Sequence, residues 1–394
     1  MKDIEYEAVR FNSKIDFKII RELFSKSFIK SHRDITLEGI GSILSSPRKD
    51  ELSDRSFTLL KDALMQEERI KKAEEEYIDS MNRNGLYTVA FEDKDYPFIW
   101  RYLDGMPRVF FCKGKREMLT KLHRNGAAAI VGSRDAGSYS LYATSDMVTK
   151  LTAHDVVIVS GMAMGIDRQA HLKALELGKD TIAVLPGGAD MVYPKQNADI
   201  YERIASEGLL ISEMPPGGKV LKQYFPARNR LISGISDACL VMEAGIYSGT
   251  LHTASFAASQ GKDVFVLPNN IYSENSLGGH LLIRDGARIL IDADEVIKAV
   301  REEVAHRNDG MRVQDKALDR EEIQRKMNED PSDLTDEELS LVIIDQLRIR
   351  ARNADELSVM IPVPFPMLLA KLSDMEMKGE VVTRRGKYEI AVNG

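Results

Sequence analysis

The chain has 394 residues, of which 43% are hydrophobic and 29% are charged, and its formal net charge is −7 at pH 7. The length predicts two or three globular domains, and the composition excludes wholesale disorder and a fibrous repeat. The negative net charge excludes a uniformly basic surface, but it is compatible with a local basic groove. No apolar run reaches the roughly 20 residues that a membrane-spanning helix needs, and the first residues lack a signal-peptide core, so we expect a cytoplasmic protein.

Residues 1–84 are polar and show helical periodicity, which predicts a small helical N-terminal domain. Helical segments are expected around 17–28, 37–44 and 54–83. The pair Ile40-Gly41 is compatible with the turn of a helix-hairpin-helix or SAM-like domain. Packing within the domain is the interpretation that the sequence favours for this pair.

Residues 85–300 carry short β-branched runs that alternate with helical segments. Strand-like runs are found at 86–91, 106–112, 127–131, 156–160, 181–185, 239–242 and 264–267. Most of them end in turns rich in Gly, Ser or Pro. This alternation predicts an α/β domain with a Rossmann-like, doubly wound and mostly parallel sheet, whose ligands bind at the carboxyl ends of the strands. Cys112 and Cys239 lie inside apolar runs and are expected to be buried, reduced thiols.

The C-terminal part of the chain changes character twice. Residues 301–335 are rich in charge and interrupted by helix breakers, which predicts a linker with some helix. Residues 336–394 predict three helices and a terminal hairpin that turns at Gly386, the organisation of a winged-helix domain. DNA contact and protein docking are both open roles for that domain.

The Gly-rich turns invite a nucleotide-binding interpretation, but the familiar phosphate motifs are missing. Lys262 is followed by Asp263, so there is no P-loop, and no G-x-G-x-x-G or G-x-S-x-G motif occurs. The seven histidines are scattered, and no nucleophile, base and acid combine into a catalytic set. We therefore expect no metal, no cofactor and no catalysis. What remains is a sheet edge of backbone N–H groups and helix N-termini, which suits a row of phosphates.

A basic and aromatic segment occupies residues 219–233. Its chemistry is carried by Lys222, Tyr224, Phe225, Arg228, Asn229 and Arg230. Cations contribute affinity for a phosphate backbone, and an exposed ring stacks on bases for about 1–3 kcal/mol per base. Together with Arg134, the segment predicts single-stranded nucleic-acid binding. In the alternative interpretation, Phe225 packs into the core, and Arg228 or Arg230 forms an ion pair with Glu213 or Glu243.

An ordered set of motifs resembles the DNA-processing protein A (DprA/Smf) family. In chain order the motifs are Gly132-Ser-Arg134 with Ser138-Tyr139, Ser160–Asp167, Gly187-Gly188 with Tyr193-Pro194, Ser212-Glu213, Phe225–Arg230 and Ser248–Ala254. The resemblance extends from about Tyr96-Pro97 to Asp292. It also fits a helical N-terminal domain and a C-terminal winged helix, both of which occur in that family.

The resemblance implies a bacterial recombination mediator without a known reaction. Such proteins bind and protect incoming single-stranded DNA, load the RecA recombinase onto it in natural transformation, and form homodimers through the Rossmann-like domain. By position, Arg134 and Lys222 would hold phosphates, and Phe225 would stack on a base. The residues that would line or shape the same pocket are Ser133, Gly161, Arg228, Asn229, Arg230, Ser248 and Thr250. Asp167 and His171 are expected to brace the Gly turns rather than to act as acid and base.

Three positions depart from the family pattern, and two other functions stay open. Asn269, His252 and His280 lie along the same edge, so the sequence leaves the fine shape of the pocket and its base preference open. The first alternative function is that of a lysine-decarboxylase-like enzyme, which releases the base from nucleoside monophosphates. Pro186-Gly-Gly188 matches that signature superficially, but its continuation is missing. The second alternative is a structural scaffold whose winged helix binds a protein.

Overall fold

The computed structural model describes residues 2–315, 334–349, 351–361, 363–384 and 386–391. Its centre is a nine-stranded sheet in the order β1-β2-β6-β5-β4-β3-β7-β8-β9. The strands are β1 Tyr87–Ala90, β2 Val109–Gly114, β3 Ala127–Gly132, β4 Val157–Ser160, β5 Thr181–Leu185, β6 Leu209–Ser212, β7 Ala238–Glu243, β8 Asp263–Val266 and β9 Arg288–Ile289. The β1–β2 and β2–β6 pairs are antiparallel and all others are parallel. The predicted Rossmann-like, mostly parallel sheet is confirmed.

Helices cover both faces of this sheet, which explains the continuous apolar strands. The helices of this domain are α6 Glu117–Asn125, α7 Ser138–Ala153, α8 Ile166–Glu176, α9 Ala198–Glu207, α10 Tyr224–Ile235, α11 Thr250–Ser259, α12 Leu277–Arg284 and α13 Ala293–Asp315. Side chains of α10 and α11 pack into one core layer, and those of α7, α8 and α13 pack into the other. Both predicted thiols, Cys112 and Cys239, are free and buried. A strand buried on both faces is apolar at nearly every position, as β3 to β5 are, and the polar Ser160 and Thr181 stand at strand ends.

Two strands escape prediction from the sequence. Strand β6 has only four residues, and β9 has two. The two-residue β9 is too short to show a period, but the four-residue β1, β4 and β8 are predicted, so length alone does not explain β6. Both β6 and β9 become strands because β5 and β8 present unpaired backbone groups beside them.

The N-terminal helices are α1 Lys2–Ser13, α2 Phe17–Ser25, α3 Leu37–Ser45, α4 Asp54–Met65 and α5 Glu67–Asn84. Their apolar core also contains Ala90 of β1 and Val109 of β2, so this domain packs against the antiparallel edge of the sheet. The chain does not turn at Ile40-Gly41, which agrees with the packing role that the sequence favours for this pair. Both residues lie inside α3, and the Ile40 side chain is fully buried in the helical core.

The sheet domain continues beyond the predicted boundary between residues 300 and 301. Helix α13 crosses that point without a break, and Val304 packs on the core layer that faces α7 and α8. Arg307 then forms a buried ion pair with Asp237 at the start of β7. These contacts hold the second half of α13 to the core, although its composition resembles a linker. The rest of the predicted linker, 316–333, lies outside the described residues.

The C-terminal residues form a separate small core. The elements are α14 Asp336–Ile349, α15 Ala354–Met360, α16 Phe365–Met377, β10 Val381–Arg384 and β11 Lys387–Ile390. The last two pair as an antiparallel hairpin, and Arg352 bridges to Tyr388 of β11. This is the predicted order of helices and hairpin, and the winged-helix assignment itself stays a prediction. Within the described ranges, we find no helix with the length and apolarity needed to cross a bilayer.

Candidate nucleic-acid interface

An open cavity of about 760 Å³ lies at the carboxyl edge of the sheet, between the ends of β3 and β7. Its walls come from the loop after β3, the loop after β7, one face of α10 and the segment before α12. The lining includes Gly132–Asp135, Gly245–Thr250, Phe225, Arg228, Asn229, Ile232, Glu274, Asn275 and Leu277. The edge that the sequence predicts as the binding site therefore carries a real cavity.

Close packing of two Gly-containing turns shapes this edge. Gly165, at the start of α8, has a φ of 73°, and a Cβ atom there would lie 2.3 Å from the carbonyl oxygen of Ser133. A side chain at this position is therefore excluded by both space and backbone conformation. The loop after β3 consequently rests directly on the start of α8, which fixes the backbone on either side of Arg134.

Arg134 and Phe225 meet at the mouth of the cavity. The guanidinium carbon of Arg134 lies 5.3 Å from the Phe225 ring centroid, within the range of a cation–π contact. Arg134 is exposed, and within the described part of the chain no carboxylate forms an ion pair with it. Phe225 is only partly buried and packs edge-on against Tyr193, with 5.9 Å between ring centroids. A cation and an aromatic ring therefore face the same open space, as predicted.

Arg228 lines the floor of the cavity. Its side chain is buried, and its Nη1 donates to the carbonyl oxygens of Gly161 and Val184. Burial lowers the pKa of Arg228 to about 10, against the attraction of Asp167. Arg228 therefore shapes the pocket from below, because its guanidinium is held by two carbonyl oxygens inside the protein. Arg228 contributes positive charge from the floor of the cavity.

Arg230 is the clearest departure from the predicted site. Its Nη2 lies 2.5 Å from Oε2 of Glu213, and Arg10 of α1 approaches the same carboxylate at 3.6 Å. Phe225, Arg228, Asn229 and Ile232 line the cavity from one face of α10. These four positions follow the i, i+3, i+4, i+7 spacing of one helical face. Arg230 is not among them, so its side chain leaves α10 on a different face and reaches Glu213. The ion-pair alternative that the sequence left open is the correct one for Arg230.

The small and polar predicted residues shape the cavity through local contacts. Ser133 Oγ accepts from the backbone N–H of Asp135, and Ser248 Oγ accepts from that of Thr250, both at 3.2 Å. Asn229 is buried and donates to the carbonyl oxygen of Gly249 at 3.2 Å. Ser133, Asn229, Ser248 and Thr250 line the cavity. Their contacts hold the loops after β3 and β7 in place.

Gly161 and Lys222 lie outside the main cavity. Gly161 lines a smaller space of about 70 Å³, which shares Arg134 and Phe225 with the main one. Lys222 is exposed just before α10 and lines neither space. The structure thus brings most of the predicted residues together, with Lys222 at the periphery.

Asp167 and His171 are internal braces. Asp167 Oδ2 accepts from the backbone N–H of Ala163 at 3.2 Å, and burial raises the pKa of Asp167. His171 is fully buried and lies 2.7 Å from the hydroxyl of Thr181. Burial, together with the charge of Arg228, lowers the pKa of His171 to about 3. These contacts match the bracing role expected for both residues.

The three departures from the family pattern lie outside the cavity wall. Nε2 of His280 lies 3.1 Å from the carbonyl oxygen of Asn269, and the Asn269 side chain donates to Ser140. His252 is exposed on α11. None of the three lines the cavity.

Sequence reasoning missed part of the wall. Ile246, Tyr247, Glu274, Asn275 and Leu277 all line the cavity. A signal for some of them exists, since the triplet Ile-Tyr-Ser occurs at 246–248 and again at 271–273. Each triplet lies in the loop that follows a strand of the sheet.

Comparison with known proteins identifies the family. Residues 87–301, which include every strand of the sheet, match the family model of DNA recombination-mediator protein A. The chain belongs to the DNA recombination-mediator protein A family. It is 34% identical over 218 residues to the DNA processing protein DprA of Bacillus subtilis, an alignment that covers 55% of this chain and 72% of the relative.

A solved structure of this family agrees with the fold. The X-ray structure of DNA processing protein A from Streptococcus pneumoniae aligns at a TM-score of 0.62 and 29% identity, covering 75% of this chain and 97% of that one. A structure of DNA processing protein A from Helicobacter pylori, reported for its single-stranded DNA binding mode, aligns at a TM-score of 0.49 and 30% identity. That alignment covers 55% of this chain and 96% of the other. The recombination-mediator fold thus spans the sheet that carries the cavity.

Proposed function

We propose that this protein binds single-stranded DNA at the carboxyl edge of its sheet and acts as a recombination mediator. The observation that carries the proposal is the pairing of Arg134 with Phe225 at the mouth of an open cavity. A guanidinium attracts the phosphate backbone, and a ring beside it stacks on a base. Family membership supports the same conclusion.

The cavity favours an unpaired strand over a duplex. Phe225 lines the cavity together with Arg228 and Asn229, so a base must leave any helical stack to reach its ring. An unpaired strand meets that requirement without a cost for breaking base pairs. Phosphates would meet Arg134 at the mouth, and Lys222 would add a second cation along the outward path.

Self-association through the Rossmann-like domain is part of this proposal. Strand β9 lies at an edge of the sheet, and Ile289 and Ile291 are 45% and 74% exposed there. An edge strand with exposed apolar side chains is an unfinished surface that a second copy can cover. A homodimer formed in this way would leave the cavity beside β3 and β7 open. Loading of RecA onto the bound strand, in the cytoplasm and during DNA uptake, completes the proposed role.

We expect the protein to act through binding and not through catalysis. Asp167 is the buried carboxyl of the cavity wall, and its hydrogen bond from Ala163 supports a structural role. The segment Pro186-Gly-Gly188, which superficially matches the lysine-decarboxylase-like enzymes, does not line the cavity. Gly187 and Gly188 pack against the backbone of Gly218 instead.

Titration of the purified protein with fluorescent single- and double-stranded oligonucleotides at two salt concentrations tests the proposal. We expect preferential binding of the single strand, with an affinity that falls as salt rises. The double variant Arg134→Ala/Lys222→Ala should lose most of this affinity. Equal binding of both nucleic acids, or an unchanged double variant, would contradict the proposal. Release of free base from a nucleoside monophosphate would favour the enzyme instead.

A further inference from the structure

Two solvent-exposed tyrosines stand at the ends of neighbouring strands. Tyr247 belongs to the loop after β7 and is 96% exposed, and Tyr272 belongs to the loop after β8 and is 88% exposed. Each follows an isoleucine that is also exposed, Ile246 at 41% and Ile271 at 71%. Side chains this exposed contribute little to the folded core. Each Ile-Tyr pair is therefore an exposed apolar and aromatic surface that is available to a ligand.

The two loops form one continuous surface with the cavity. Strands β7 and β8 are parallel neighbours, so their carboxyl ends lie side by side. The backbone N–H of Gly279 donates to the carbonyl oxygen of Ala244 at 3.0 Å, and a Cβ atom on Gly278 would lie 2.4 Å from the carbonyl oxygen of Gly245. The segment after β8 therefore packs directly on the loop that carries Tyr247. Tyr247 itself lines the cavity that contains Arg134 and Phe225.

We propose that Tyr247 and Tyr272 are base-stacking platforms that extend the single-stranded DNA track from the cavity across the ends of β7 and β8. This inference rests on the proposed function. Arg134, Tyr247 and Tyr272 follow β3, β7 and β8, which are successive strands of the sheet. Neighbouring strands lie about 4.8 Å apart, so these loops span roughly 10 Å. A strand that leaves Phe225 toward β8 therefore meets a second and then a third ring.

The chemistry of the surface fits a nucleic acid. Every base has a π-face, so stacking accepts any sequence, and a tyrosine ring can stack while its hydroxyl group stays in water. The surface is continuous with the exposed cation Arg134, which supplies attraction for the phosphates between the stacked bases. An apolar protein partner would not need that cation.

Oligonucleotide length provides the first test. The full chain, Tyr247→Ala and Tyr272→Ala would each be titrated with oligothymidylates of about 4 and about 16 nucleotides, the range over which single-strand sites vary. We expect Tyr247→Ala and Tyr272→Ala each to weaken binding of the longer oligonucleotide by about fivefold or more, and Tyr272→Ala to weaken binding of the shorter one less than Tyr247→Ala does. The salt dependence should not change, since a stacked ring releases no counterions.

Tyr142→Ala is the matched control, because Tyr142 is 75% exposed on α7 and does not line the cavity. Its affinity should equal that of the unmodified protein. If the two loop variants also bind both lengths with unchanged affinity, the tyrosine track is wrong although the proposed function stands. Failure of the unmodified protein to bind single strands would instead refute the proposed function.

Fluorescence gives a second readout that a change of shape alone would not produce. The sequence contains one tryptophan, Trp100, which is 1% exposed, so DNA should not change its fluorescence. The indole rings of Tyr247→Trp and Tyr272→Trp can therefore report on contacts with DNA. We expect oligothymidylate to quench both reporters and an abasic deoxyribose phosphate polymer to quench neither. Equal quenching by both polymers would overturn the stacking proposal. Sedimentation of Tyr272→Ala adds a check, since a halved mass would place that ring in a subunit interface and overturn its assignment.

Discussion

The guanidinium of Arg228 occupies the space that a side chain at Gly161 would need. A Cβ atom on Gly161 would lie 2.6 Å from Nη1 of Arg228, and the carbonyl oxygen of Gly161 accepts a hydrogen bond from the same nitrogen. Position 161, in the turn after β4, is therefore a glycine because the buried guanidinium of Arg228 occupies the space that a side chain would need. This guanidinium in turn supplies charge to the floor of the cavity, so packing and electrostatics depend on the same pair.

Gly161→Ala should destabilise the protein. The added methyl group must displace a guanidinium that is hydrogen-bonded on the inside, and overpacking of this kind costs about 1–3 kcal/mol. Urea denaturation measures the change in the free energy of unfolding. Gly249→Ala is the matched control, because a Cβ atom at Gly249 meets no atom within 4 Å and its φ is −60°. A destabilisation of equal size in both variants would contradict the packing argument.

Arg134→Ala should weaken single-stranded DNA binding and flatten its salt dependence. Loss of one phosphate contact lowers the slope of log affinity against log salt by about 1. The measurement is a titration at several salt concentrations. Arg203→Ala serves as the control, since Arg203 pairs with Glu207 on α9 and does not line the cavity. A slope that stays the same for Arg134→Ala would show that this cation does not touch phosphate.

Phe225→Ala should reduce affinity with little effect on the salt slope. Loss of a base–aromatic stack costs about 1–3 kcal/mol, and it releases no counterions. Phe225→Trp keeps an aromatic face and should retain binding. Both affinities follow from the same oligonucleotide titration. If Phe225→Ala and Phe225→Trp weaken binding equally, the ring acts through packing with Tyr193 and not through stacking.

Arg230→Ala should affect folding and leave the salt slope of DNA binding unchanged. Arg230 is engaged by Glu213, which also faces Arg10 of the N-terminal domain. Both partners are only 19% exposed, so removal of the guanidinium leaves a poorly solvated carboxylate, at a cost of about 1–3 kcal/mol. Thermal unfolding and a salt titration separate the two effects. A flatter slope of log affinity against log salt would instead show that Arg230 contacts DNA.

His32 should make the attachment of the N-terminal helices depend on pH. The buried imidazole lies 2.9 Å from Asp3 and 3.1 Å from Glu92, and only the protonated ring can donate to both carboxylates. Although burial by itself lowers the pKa of His32, the hydrogen bonds to Asp3 and Glu92 raise it above its ordinary value of 6.5. The stabilisation is therefore complete below pH 6.5 and is lost as the pH rises through the raised value.

At low pH, protonation of the carboxylates removes the stabilisation that the same contact provides. Burial raises the pKa of Glu92, but hydrogen bonds from His32 and Ser31 outweigh it and lower that pKa from 4.5 to about 2. This contribution is present above pH 4.5 and is lost as the pH falls toward 2. The difference in melting temperature between the unmodified protein and His32→Gln should thus be largest between about pH 4.5 and 6.5. A difference that is constant across pH 4 to 9, or that grows with rising pH, would show that His32 is not protonated.

The sequence by itself determined the class of sheet and the edge at which ligands bind. Strands such as β3 and β5 are apolar at nearly every position, and each ends in a Gly or Ser turn, so periodicity and turn chemistry point to one architecture. The pairing of a cation with a ring could also be anticipated, because Arg134 and Phe225 both belong to motifs of that edge.

Only the tertiary structure decided which cations face the cavity. Arg228 and Arg230 are two residues apart in one basic segment, yet one lies under the cavity and the other pairs with Glu213. Helical rotation separates their directions by about 200°, since each residue turns about 100°. The burial of Arg307 against Asp237 likewise keeps α13 with the core, beyond a boundary that composition placed at residue 300. Composition records which charges are present, and packing decides which of them meet solvent.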